Sequence, residues 1–277
     1  MGLRINTNVP SLAAQRTLGK NNEDAANTLG KLSSGTRIVR AADDAAGLAI
    51  SEKLKAKIKG LEQADRNAND GISLIQTAEG GLNEVSNILI RLRELAIQSA
   101  SDTVGDAERQ FTDLEYQNLK QEIQRIAQVT EFNGKKLLNG EGESYDFQIG
   151  VNNDDFEDRI RYNASMTNST LDSLGLTELS VGSKEASHES LDIIDAAIQK
   201  VSGERAELGA VQNRLSSTIQ NLKSGIENLS AANSRIRDTD YASETAKATK
   251  LGILTAAGTS VLAQANLRGQ QALKLIG

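Results

Sequence analysis

The sequence predicts a mainly α fold: a long, coiled-coil-like helical rod with a small β region and two paired terminal helices. Three observations carry this. The 277 residues include a single Pro, so long uninterrupted helices are permitted. Aromatics are 3% and hydrophobic residues 38%, with no Trp. The core must then come from Ala, Leu and Ile, which suit close helix-on-helix contact, and Ala has the highest helix propensity. Finally, apolar residues recur at steps of three and four over most of the chain, with one interruption.

Residues 1–34 form the first predicted helix. Leu12, Leu18, Ala25, Leu29 and Leu32 lie at helical spacing, Pro10 stands where a helix starts, and Ser33-Ser34-Gly35 stops it. Arg37 to Gly47 is a tight polar connector carrying Arg37, Arg40, Asp43 and Asp44. The next helix runs from about residue 43 to 99. Its stripe from Ala68 to Ser99 has a mean step of about 3.4 residues, nearer the coiled-coil period than that of a straight helix. At ~1.5 Å per residue such a helix spans roughly 85 Å, too long for the interior of a compact domain. Ser101 to Gly105 is turn chemistry, and a second helix over about Asp106 to Val129 folds back.

Residues 130–176 change character. Thr130 to Gly134 ends the helix. Asn139-Gly140 is the hairpin-type turn signal, Tyr145 to Gly150 alternates like a half-exposed strand, and Arg159 to Tyr162 is a second strand candidate. Phe132, Phe147, Phe156, Tyr145 and Tyr162 fall here, where a small sheet needs bulk. Residues 176–190 read as polar and irregular. Helix returns at Leu191 and continues to Ile236. Arg235, Arg237, Asp238 and Asp240 make a second mixed-charge connector, and Tyr241 to Ile276 is the last amphipathic helix.

The domains expected from this pass are 1–40 and 236–277 as the two halves of a helical terminal domain. Residues 41–176 and 177–235 then form the outgoing and returning parts of a rod domain. The terminal stripes are regular but rich in small residues, so one chain offers them too little to bury. Residues 1–40 and 240–277 are therefore expected to be ordered by association.

Composition excludes several classes. Lys and Arg total 31 against 37 Asp and Glu, a net charge of −6, which disfavours a phosphate-backbone partner. With no Cys and one His, disulfide frameworks, cysteine metal sites and multi-histidine chemistry are out. His188 reads as a surface residue in a loop. No GxGxxG or Walker loop occurs, so no catalytic, cofactor-binding or metal-binding residues are assigned, and the chain reads as a non-enzyme. No apolar h-region follows Met1, and no run of 18 apolar residues exists, so neither a secretory signal peptide nor membrane insertion is expected.

Asp43 and Asp44, being adjacent, do not face one another on a helix. They are read as caps for backbone N–H groups, or as partners of Arg37 or Arg40, of Arg235 or Arg237, or of an arginine in a neighbouring subunit. The two mixed-charge connectors, Arg37, Arg40, Asp43 and Asp44 with Arg235, Arg237, Asp238 and Asp240, are expected to lie together at a domain junction or intersubunit contact.

Several stretches together resemble bacterial flagellin. They are Ile5-Asn6-Thr7-Asn8, Leu32 to Ile38, Ala41 to Ile50, Arg91 to Ala96, Phe132-Asn133-Gly134, Ser234 to Ala242 and Val261 to Asn266. They reach both ends of the chain. The resemblance implies a filament subunit for motility, found in the extracellular bacterial flagellum, with terminal helices paired along the filament bore. It implies self-association into a helical homopolymer, export by a type III machine with a chaperone on the C-terminal helix, and junction and cap proteins as partners. The gap from Leu174 to Ser190 leaves no room for the outer domains many flagellins carry. Arg91, Leu95 and Glu122 match positions at which some flagellins contact an animal Toll-like receptor, whereas Ile90 departs from that pattern. Gly269 stands where the family usually has Pro. The competing readings are a hook-filament junction protein and a non-flagellar coiled-coil scaffold.

Overall fold

The structure is a computed structural model that describes residues 7–274. Ile5 and Asn6 of the N-terminal motif, and Leu275 and Ile276 of the last predicted helix, lie outside the described residues. In chain order the elements are α1 (Val9–Ser34), α2 (Ala45–Ala100), α3 (Asp106–Val129), β1 (Glu131–Phe132), β2 (Lys135–Lys136), β3 (Ser144–Gln148) and β4 (Arg159–Asn163). A short 3-10 turn (Ala164–Met166) follows, then α4 (Lys184–Arg237) and α5 (Tyr241–Lys274). They form two compact units, one made of residues 1–56 and 228–277 and the other of residues 57–227. The helices α2 and α4 contribute to both.

Residues 57–227 hold the main core. Leu82, Val85, Leu89 and Leu92 of α2 meet Tyr116 and Ile123 of α3, and Ile194, Val201, Leu208 and Leu215 of α4 complete it. Each of these aliphatics removes a whole side chain from water, worth roughly 1.5–3 kcal/mol. Within this unit α2 and α4 run antiparallel. Arg93 pairs with Asp195 at 2.6 Å, Arg205 approaches Glu79 at 4.0 Å, and Gly225 lies against Leu61. Residue numbers rise along one helix as they fall along the other. The α3 helix is also antiparallel to α2, because Arg91 reaches Glu115 at 2.8 Å and the Arg109 guanidinium donates to the Ser99 and Ser101 carbonyls.

The β region consists of two antiparallel hairpins, β1–β2 and β3–β4. The longer one pairs Tyr145 with Tyr162 and Phe147 with Ile160. Its Phe147 ring lies on α2 where Gly71 leaves space, since a Cβ there would sit 3.0 Å from the ring. The shorter hairpin corrects the sequence expectation. Its turn is Asn133-Gly134, not Asn139-Gly140. Both turn residues have positive φ, 51° and 77°, as the twist of a two-residue hairpin demands. Strands of two residues carry no alternation to read, so the signal looked like a helix stop.

The returning helix is also corrected. It starts at Lys184, seven residues before Leu191. Ser183 caps it by accepting from the Ala186 N–H at 3.2 Å. Its first turns bury Ser187 and Ser190 rather than large apolar groups, so the apolar stripe begins late. His188 is consequently an exposed helix residue, not a loop residue.

A polar row on α3 secures the segment between the sheet and α4. Asp113 accepts from the Val181 N–H and the Ser180 hydroxyl, both at 2.8 Å. Gln117 donates to the Leu179 carbonyl at 3.1 Å. Lys120 donates to the Thr177 and Leu179 carbonyls at 2.9 and 2.7 Å. Gln124 accepts from the Leu171 N–H at 3.0 Å. Burial holds the Lys120 ammonium below its ordinary pKa.

Candidate functional site

The unit of residues 1–56 and 228–277 is built on α1 and α5, which pack against each other. They run antiparallel. Asn8 donates to the Ala265 carbonyl at 2.9 Å, Ser11 to Asn266 at 2.8 Å, and the Tyr241 hydroxyl to the Leu32 carbonyl at 3.0 Å. These are the helices expected to be ordered by association, and in the structure they are helical and paired. What the pair hides is mostly small or polar, with Leu251 as the one large aliphatic among the described residues. Ser11 and Thr28 are the buried residues of α1. Leu251 and Ala265 are buried on α5, each at 7% exposure. Val9, Leu12, Leu29, Ile253, Val261 and Leu267 remain more than half exposed.

The two connectors meet through backbone. Thr36 and Asp238 form an isolated antiparallel bridge, the Arg37 N–H donates to the Arg237 carbonyl at 2.6 Å, and the Thr239 N–H to the Gly35 carbonyl at 3.0 Å. Gly35 ends α1 in the left-handed conformation, φ 69°. The Arg37 guanidinium donates from Nε and Nη2 to the Ile236 carbonyl, at 3.2 and 2.7 Å. A cation thereby satisfies an open carbonyl in the last turn of α4, where the dipole is negative.

The charged side chains act chiefly as caps. Asp43 accepts from the Val39 and Arg40 N–H groups at 3.0 and 2.9 Å. Those backbone bonds, Arg40 first, hold its carboxyl below the usual range. Asp44 accepts from the Gly47 N–H at 2.8 Å and starts α2. Asp240 accepts from the Ala242 and Ser243 N–H groups and starts α5. The expected pairs of Asp43 or Asp44 with Arg235 or Arg237 do not form within the chain. Arg37 stands 4.0 Å from Asp44. Arg237 pairs with Glu52 instead, and that hydrogen bond lowers the Glu52 pKa. Arg40 and Arg235 are exposed and have no ion pair among the described residues. Sequence reasoning missed Glu52 because nothing local ties it to a residue 185 positions away.

On the face matched to receptor recognition, Arg91 bridges Glu94 and Glu115 at 2.9 and 2.8 Å. Glu122 pairs with Arg125 at 2.5 Å. Leu95 does not join them at the surface: it is 2% exposed and belongs to the core. No group of side chains suited to hold a metal ion occurs among the described residues. No described helix is long and apolar enough to cross a membrane.

Comparison with known proteins bears on this arrangement. The family model of the bacterial flagellin N-terminal helical region matches residues 5–143. That of the C-terminal helical region matches residues 191–276. A flagellin of Halalkalibacterium halodurans is 44% identical, the match covering 98% of this chain and 99% of that protein. The flagellar filament core protein flaB2 of Brachyspira hyodysenteriae is 45% identical, with 98% and 99% covered. Among solved structures, the crystal structure of Bacillus cereus flagellin superposes with a TM-score of 0.51 at 33% identity, covering 61% of this chain and 94% of that one.

Proposed function

Because the chain belongs to the bacterial flagellin family and is a structural subunit of an extracellular homopolymer, the flagellar filament, we propose that the paired helices α1 and α5 are its principal polymerisation surface. One observation carries the proposal. This helix pair leaves Val9, Leu12, Leu29, Ile253, Val261 and Leu267 more than half exposed while burying, among its described residues, Leu251 and otherwise only Ser, Thr and Ala. A monomer gains nothing from such a surface, whereas neighbouring copies cover it. Negative-stain imaging of purified protein tests it. The full chain is expected to give long uniform tubes. Removing Leu251 to Gly277 is expected to abolish them while residues 57–227 stay folded; tubes from the truncated chain would overturn the reading.

We further propose that the connectors mark the boundary of the inner helical domain, and that exposed Arg40 and Arg235 are offered to an adjacent subunit. Asp43→Ala and Arg235→Ala are then expected to alter polymerisation or filament shape without unfolding the chain. The proposed partners besides self are an export chaperone on α5 and the junction and cap proteins of the filament. Loss of chaperone affinity on deleting Leu251 to Gly277 tests the first. Toll-like receptor recognition is proposed through exposed Arg91 with Glu122. Because Leu95 is buried, Arg91→Ala is expected to cost receptor activation more than Leu95→Ala does in protein that remains folded.

A further inference from the structure

The chain carries the dipeptide Asn-Gly twice, at Asn133-Gly134 and at Asn139-Gly140. In such a pair the backbone nitrogen of the glycine can attack the asparagine carboxamide, because no side chain shields it and the glycine backbone turns freely. The structure treats the two pairs very differently.

Asn139 is half-buried and held at both ends of its carboxamide. Oδ1 accepts from the Glu141 N–H at 3.1 Å, and Nδ2 donates to the Glu141 carboxylate at 3.0 Å. Its backbone bridges Asn168, the Ser169 N–H donates to the Leu138 carbonyl at 3.0 Å, and Leu137 and Leu138 before it are fully buried. The Asn168 side chain fills the space over Gly140.

Asn133 and Gly134 are both exposed at the tip of the β1–β2 hairpin. Among the described residues no hydrogen bond holds the Asn133 carboxamide, and the Gly134 N–H makes no backbone hydrogen bond. Nothing lies within 4 Å of where a Gly134 side chain would begin. In the left-handed turn, with φ 51° at Asn133, the Gly134 nitrogen points away from the carboxamide carbon, so attack requires the tip to open. Opening is cheap. Only two residue pairs close the hairpin, and the exposed Lys136–Glu131 ion pair across it adds at most about 1 kcal/mol. It is also confined to the tip, because Phe132 packs on the core and the Leu137 N–H donates to the Thr130 carbonyl at 3.2 Å.

We propose that Asn133 is a site of spontaneous deamidation and isoaspartate formation in the folded chain, and that Asn139 is protected from it. The Gly134 nitrogen gives its proton to solvent base and attacks Cγ of Asn133. The N–Cγ bond forms, the Cγ–Nδ2 bond breaks, and ammonia leaves with a proton taken back from water. Water then opens the five-membered imide. Addition at Cγ gives Asp, and addition at the main-chain carbonyl gives isoaspartate, whose chain runs through Cβ and Cγ. One water is consumed, one ammonia is released, and nothing is oxidised or reduced. Isoaspartate adds a backbone carbon that a two-residue turn cannot hold, so the β1–β2 pairing is lost with it. The proposal is independent of the filament reading.

Peptide mass spectrometry of the full chain, aged in mildly alkaline buffer, tests it. Asn133 is expected to convert at least about tenfold faster than Asn139 in the folded protein, because only its tip opens locally. In denaturant the two rates are expected to converge. Equal rates in the folded protein would overturn the proposal, as would an Asn133 that stays intact while the denatured chain reacts. An equal lead for Asn133 in denaturant would show that the structure does not cause the difference, and would overturn the protection assigned to Asn139. The variant Asn133→Gly keeps a turn-forming pair and has no carboxamide. After the same ageing it is expected to retain amide protection at Lys135 and Lys136, which the unsubstituted chain loses. Equal loss in both would reject the link between the modification and the hairpin.

Discussion

Residues 57–227 and the unit of residues 1–56 with 228–277 are both helical, yet they use helix in opposite ways. The first directs Leu, Ile and Val inward: Leu82, Val85, Leu89 and Leu92 are fully buried. The second has only Ile38, Leu251 and Ala265 as buried hydrophobics among its described residues. Its helices are joined instead by polar contacts such as Ser11 with Asn266 and Tyr241 with the Leu32 carbonyl. Similar helix propensity therefore produces a self-sufficient unit in one place and an unfinished one in the other. Side-chain size on the inner face decides which.

The sharpest way to break this contrast is truncation of the core. Leu92→Ala is expected to destabilise residues 57–227 by about 2–5 kcal/mol, read as a shift in the denaturation midpoint at unchanged slope. A loss under 1 kcal/mol would mean that this core is looser than its burial indicates. Loss of the α5 cap comes next. Asp240→Ala is expected to cost about 1 kcal/mol and to reduce amide protection over the first turns of α5 while leaving α2 and α3 unaffected.

The third test concerns Glu204 of α4, 9% exposed in the core unit. One carboxylate oxygen takes a hydrogen bond from Ser169 at 3.2 Å, and the other has no partner. Burial raises its pKa, against the pull of Lys200, while Glu207 adds to the rise and Tyr162 stands nearby. The folded state thus binds this proton more tightly than the unfolded chain does. Its contribution is then most favourable below the unfolded pKa and is lost as pH rises through the raised folded value. Glu204→Gln is expected to stabilise the protein at neutral pH by about 1 kcal/mol and to flatten that slope. An unchanged pH profile would count against the assignment. The smallest effect on the monomer is expected from Leu254→Ala, within about 0.5 kcal/mol as for other exposed positions. The same variant should slow filament formation, and normal assembly would weaken the role given to α5.

Periodicity made the long helices legible because their inner positions are large and apolar. It failed where the inner positions are small. The start of α4 is hidden in Ser187 and Ser190, and the α1–α5 contact relies on Ser11, Thr28 and Ala265. The β3–β4 pair was readable from alternation, whereas the Asn133-Gly134 hairpin has strands too short to alternate. Among the connectors, capping was read for Asp43 and Asp44, and Asp44 does cap α2; the cap that Asp240 places on α5 was not read. Arg37 serving a carbonyl of α4 and Arg237 reaching Glu52 depend on chain crossings that local sequence does not encode. Leu95 was matched by motif, but its inward direction follows from the register of α2 against α3.

The row of Asp113, Gln117, Lys120 and Gln124 grips the segment from Leu171 to Val181 mostly by its carbonyls and amides, which every residue possesses. Its apolar side chains hold it as well, Leu174, Leu176 and Val181 in the core with Leu171 and Leu179 packed against them, so the exposed polar positions between them are the ones free to change. The α3 grip ends at the Val181 amide, and the α4 cap begins at Ser183. Gly182 is the seam between the two pieces, which the Ser187 hydroxyl of α4 ties together by donating to the Val181 carbonyl at 3.3 Å. A foreign peptide or small domain spliced at this seam would leave both anchors in place, the α3 grip with its buried Leu176 and Val181 on one side and the capped start of α4 on the other, which makes it a port for displaying cargo along a filament.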